Sequence, residues 1–186
     1  MAYTKKTDGS VKTKPQEKKV ETVVENEVVK EVPKQIKQYS GDDLIPCKSM
    51  TRGELIYIGN KTGEVYKWSD YGDITEVEYQ DLLGLRSKKS DFIYKTMFII
   101  IDEDVLEDPK WADVKAIYER IYSDDIQTLI DMPIEQFKSI FPSQPDGIKN
   151  AMVVEVGTQM ENGTFDSIQK IKFIDEVCKT DLSSML

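Results

Sequence analysis

The chain contains no histidine and only two cysteines, Cys47 and Cys178, among its 186 residues. Without an imidazole the Ser-His and Cys-His nucleophile arrangements are excluded. With no CxxC pair there is no material for a disulfide scaffold or for a zinc site of the usual kinds. Gly53, Gly59 and Gly63 stand too far apart to cradle a phosphate, and no Gly-Lys-Ser/Thr sequence follows any of them. No apolar run approaches the roughly 20 residues that span a bilayer, and Met1 to Ser10 is polar where a secretory signal has an apolar core. No internal repeat of solenoid period is visible. The expectation is a soluble protein of a reducing cytoplasm, with no cofactor and no membrane partner.

What is present is charge, unevenly placed. The net charge is −9, yet residues 1–40 hold nine Lys against six acidic residues, which leaves 16 basic against 28 acidic in the remainder. The first part is about +3 and the rest about −12. An acidic body repels a phosphate backbone, so nucleic acid is not the expected partner of the main surface, and only the basic segment could touch it. With 39% apolar residues, the chain can bury one sizeable core plus an appended tail.

Residues 1–40 carry no Trp or Phe and cannot offset their own ordering entropy, which predicts an extended arm. Inside it lies a valine-rich island, Val20, Val23, Val24, Val28, Val29 and Val32, ended by Pro33. Its spacing fits neither strand nor helix cleanly; it is either a solvated linker or a segment that docks on a partner as strand or helix. The folded part begins at Leu44-Ile45-Pro46-Cys47. Glu54–Gly59 and Glu64–Trp68 flank Asn60-Lys61-Thr62-Gly63 and predict a β-hairpin. Ile74–Val77 reads as a third strand, Glu78 to about Ser87 as a helix, and Met97–Ile101 as a strand buried on both faces near the hairpin. From Asp108 the period becomes helical, with Trp111, Val114, Ile117, Tyr118 and Ile121 on one face. Further helices are expected to about Met132, over Ile134–Phe141, over Gly147–Met160 and from Phe165 to about Asp181. The last should bury Ile168, Ile171, Phe173, Ile174 and Val177. The predicted fold class is α+β: an extended N-terminal arm (1–40), a small antiparallel β-meander with one helix (41–106) and a C-terminal helical bundle packed on it (107–186).

Candidate chemistry is sparse. Asp102, Glu103 and Asp104, followed by Glu107 and Asp108, could bind a divalent cation, but the loop lacks EF-hand spacing and acidic residues are favoured at helix N-termini. Asp70 and Asp73 around Tyr71-Gly72 suit a turn better than an acid/base pair. Tyr57, Tyr66 and Trp68 read as packed core or a protein interface, Cys47 and Cys178 as core thiols, and Arg86-Ser87-Lys88-Lys89-Ser90 as a basic helix end. No catalytic, metal-ligating or cofactor-binding residue is assigned.

Ile45-Pro46-Cys47-Lys48-Ser49, Gly53, Leu55, Thr62-Gly63, Trp68, Tyr71-Gly72-Asp73, Glu78-Tyr79-Gln80-Asp81-Leu82, Arg86-Ser87 and Ile100-Ile101-Asp102-Glu103-Asp104 form a pattern over about a third of the chain. In it the chain resembles a family of small virion structural proteins of large tailed bacteriophages. The resemblance implies a non-enzymatic particle component, assembled in the host cytoplasm, with capsid, portal, neck or tail subunits as partners and oligomerisation open. An alternative is an acidic regulator that occupies a host enzyme by mimicking nucleic acid, which requires regular rows of carboxylates. A third is a metal-dependent enzyme using Asp102 and Asp104.

Overall fold

The computed structural model describes residues 37–186. The arm up to residue 36, with the six valines of its island, lies outside the described residues. The fold is α+β.

The first strand, β1 (Leu44–Ser49), alternates inward Ile45, Cys47 and Ser49 with less buried neighbours. The sequence marks this stretch only as the start of the fold, and a proline is unusual within a central strand. The structure makes β1 the centre of a three-stranded antiparallel sheet. Pro46 is tolerated because its ring nitrogen faces the side where β5 (Phe98–Ile100) has run out. Its carbonyl accepts from Ile101 N at 3.1 Å on that side, just past the paired residues Cys47 and Ile100.

β2 (Leu55–Ile58) and β3 (Val65–Trp68) form the predicted hairpin, with Leu55 opposite Trp68 and Ile58 opposite Val65. The next strand, β4 (Ile74–Glu78), lies beside β3 as expected, but its ladder bonds go to β1, from Leu44 opposite Glu78 to Lys48 opposite Ile74. Helix α1 (Tyr79–Ser87) follows directly, then a single turn, α2 (Asp91–Tyr94), that the sequence did not reveal. The hairpin is fastened to the sheet by Trp68, whose ring stacks on Phe98 at 5.0 Å between centroids and whose indole N–H donates to Cys47 O at 2.8 Å. Around this junction Ile45, Leu82, Leu85, Trp111 and Val114 complete a first core.

α3 (Glu103–Glu107) and a 3-10 turn at Pro109–Trp111 lead into α4 (Ala112–Tyr118), which turns Trp111 and Val114 fully inward. The remaining helices, α5 (Ile126–Ile130), α6 (Ile134–Ile140), α7 (Asp146–Glu161) and α8 (Ile168–Cys178), surround a second core built on Leu129, Phe137, Phe141, Met152, Ile171 and Ile174. Met50 and Ile99 reach this second core from the sheet side, so β5 contacts both cores, with Phe98 and Ile100 in the first. Polar contacts stitch the halves, among them Lys48 Nζ to Asp124 Oδ2 at 2.6 Å, Tyr71 OH to Asp124 O at 2.8 Å, Gly147 N to Lys95 O at 2.6 Å and the Arg52–Glu155 ion pair.

One expected face is corrected. Ile168 is 52% exposed, while Lys170 is buried. At about 100° per residue, Lys170 and Ile168 lie on opposite flanks of the stripe of Ile171, Ile174 and Cys178, and the flank that is covered is that of Lys170, which meets Ile130 O at the end of α5.

Candidate interaction surface

Helix α1 sets one carboxylate beneath the hairpin tip. Asp81 has no solvent exposure and accepts from Lys61 N at 2.7 Å, Thr62 Oγ1 at 2.5 Å and Tyr66 OH at 2.9 Å. Burial pushes its carboxyl up, but hydrogen bonds from Thr62, Lys61 and Tyr66 outweigh that and hold it below the ordinary carboxylate value. Gly59 makes this approach feasible, since a Cβ there would fall on Asp81 Oδ2 and Thr62 Oγ1. Gly63, at φ 79°, closes the turn.

With the tip fixed, the two faces of the hairpin separate cleanly. Leu55, Tyr57, Tyr66 and Trp68 point into the first core. Ile56, Ile58 and Val65 point out, and are 45%, 61% and 62% exposed. Lys67, opposite Ile56, pairs with Glu54 at the end of this apolar face. The edges differ as well. Thr75 Oγ1 donates to Lys67 O at 2.7 Å and covers the outer edge of β3. On β2, the bond from Gly59 N to Glu64 O at 2.8 Å fixes which residues face β3, so the N–H and C=O groups of Ile56 and Ile58 face away from it. Among the described residues they have no hydrogen-bond partner.

The acidic residues singled out in the sequence serve local structure. Asp102 caps α3, its Oδ1 accepting from Asp104 N at 3.0 Å and Val105 N at 3.3 Å, while its Oδ2 accepts from Tyr39 OH at 2.8 Å. Tyr39, which the sequence assigns to the arm, thus packs on the body, 5.2 Å from the Tyr79 ring. Asp108 and Asp125 cap the turns that follow them. Asp73 Oδ2 accepts from Ser69 N and Asp70 N, and Asp70 Oδ1 from Gly53 N and Tyr71 N, as a turn requires. Among the described residues no three His, Cys, Asp or Glu side chains are placed to hold a metal ion. Cys47 is fully buried in the first core and Cys178 half-buried against the second. Arg86 ends α1 with its guanidinium 5.9 Å from the Trp111 ring centroid, and Asp113 lies 3.7 Å from its Nε.

Two polar residues that organise the molecule were missed by sequence reasoning. Asp81 is one. Lys170 is the other, its ammonium donating to Ile130 O at the end of α5, where burial lowers its pKa. Each occupies a position where the helical period demands an apolar residue, Asp81 beside Leu82 and Leu85, Lys170 beside Ile171 and Ile174. That conflict is the signal in the sequence.

Among the described residues no helix is long and apolar enough to cross a membrane. No protein-family model, no curated protein and no solved structure matches this chain.

Proposed function

We propose that the protein is a non-enzymatic structural or assembly component of a phage particle, binding neighbouring subunits of capsid, neck or tail through its N-terminal arm and its hairpin. The observation that carries this reading is the exposed apolar face of Ile56, Ile58 and Val65, held rigid from beneath by Asp81 and Trp68. Apolar side chains displayed on a braced strand pair suit a protein partner. The carboxylates support the same reading over nucleic-acid mimicry, because Asp102, Asp108 and Asp125 are engaged in caps rather than ranged in rows.

The test is co-sedimentation with purified particles at a fixed copy number, for the full chain, for a chain lacking residues 1–40 and for Ile58→Lys. Stoichiometric incorporation that falls in both variants is the expected result. Absence of the full chain from particles overturns the virion assignment, and full incorporation of both variants overturns the assigned contacts.

A further inference from the structure

We propose that two copies of this chain pair through the open edge of β2, antiparallel across a two-fold axis, into a continuous β3-β2-β2-β3 sheet. The inference rests on the hairpin being a binding element and names its occupant as a second copy.

Three observations lead to it. The first is the edge itself. Ile56 and Ile58 present N–H and C=O groups on one side of the strand that have no partner among the described residues. Exposed edges are ordinarily blunted by a charged side chain, a proline or a bulge. Leu55-Ile56-Tyr57-Ile58 contains neither charge nor proline, and its four residues pair without interruption to β3.

The second is self-complementarity. A two-fold at Tyr57 sets Ile56 of one copy opposite Ile58 of the other, so each pair exchanges both of its N–H···O=C bonds and satisfies every outward group of the strand. The same register aligns the exposed side chains into rows running Val65, Ile58, then Ile56 of the second copy. Apolar faces that are small on one hairpin become one surface on two, and cross-strand contact between β-branched side chains adds to the pairing.

The third is charge. From residue 41 onward the chain carries about −12, and two such bodies repel. Gly53–Trp68 holds Lys61 and Lys67 against Glu54 and Glu64 and is neutral. The hairpin is therefore a place where a second acidic copy approaches without a local penalty. A four-residue strand buries far less than the ~800 Å² per partner of a standard interface, so the dimer is weak and forms only at high protein concentration.

Sedimentation of the full chain from micromolar to millimolar concentration tests this. The expected weight-average mass rises from monomer toward dimer, and the rise comes at lower concentration in high salt, where repulsion between the bodies is screened. Ile58→Pro removes an outward N–H and breaks no β2–β3 bond, so it should stay monomeric with an unchanged far-UV spectrum. Ile56→Lys places two added charges across the new ladder and should raise the dissociation constant at least about tenfold; it decides the matter should the proline variant not fold. A full chain that remains monomeric at millimolar concentration, or a folded variant that dimerises as the parent does, overturns the pairing. A monomeric parent whose Ile58→Lys variant still loses particle incorporation overturns self-pairing alone and leaves the structural role standing.

Discussion

Asp81 concentrates more of the hairpin's geometry than any strand residue, because the tip turns around its carboxylate. Asp81→Asn keeps the volume but converts part of an acceptor-only group into a donor facing Thr62 and Tyr66. The loss should be about 2 kcal/mol in urea unfolding, within the range for buried charged hydrogen bonds. The pH dependence carries a definite sign. A carboxyl held below its unfolded value contributes stability that is complete above about pH 4 and is lost as pH falls through the folded pKa. Stability of the parent should therefore fall on acidification below about pH 4, and the Asn variant should show a shallower fall in the same titration. Gly59→Ala strikes the same cluster from the other side, forcing Asp81 or Thr62 to move, and should cost about 2 kcal/mol by thermal or urea unfolding.

At the scale of elements, α8 offers a clean comparison. Ile171 is fully buried and Ile168 is 52% exposed, though three residues apart. Ile171→Ala should cost about 3 kcal/mol and Ile168→Ala under about 0.5 kcal/mol in parallel denaturation. Equal losses would show that the helix is rotated from the orientation described. The same helix marks where the sequence was legible. Its existence, and that of the hairpin, α1 and α7, followed from period and punctuation, which act over neighbouring residues: Asn60 to Gly63 for the turn, Asn162-Gly163 for the end of α7. The rotation was not legible, because Lys170 faces inward for a partner, Ile130 O, that is 40 residues distant in the chain. β1 was missed for a similar reason. Whether Pro46 is tolerated depends on where β5 stops, and nothing near Pro46 encodes that. α2 and α3 are single turns, too short for periodicity to register. Of the candidate surface, the hairpin and its alternating side chains were visible in the sequence, whereas the open edge of β2 depended on β1 and β5 pairing with each other and not with the hairpin.

At the largest scale, residues 37–186 are built on two cores joined at a seam. Both tryptophans, Trp68 and Trp111, lie in the first core, while most helix of the second half surrounds the other. Tryptophan fluorescence therefore reports the first core, and far-UV circular dichroism is weighted toward the helices of the second. Because Met50 and Ile99 cross the seam, the two signals should trace one unfolding transition. Glu155→Gln weakens the partly exposed Arg52 pair and should shift both signals together by about 1 kcal/mol or less. Separated curves in the parent would mean the halves unfold independently.

The placement of the two thiols turns this seam into something that can be timed. Cys47 is sealed in the first core, where burial pushes its thiol well above the ordinary value, and Cys178 lies half-buried beside the second. A thiolate forms and reacts only where solvent and reagent can reach it. Disulfide-exchange reagents should thus modify Cys178 early and Cys47 at the rate at which the first core opens, giving the unaltered chain its own clock on that core.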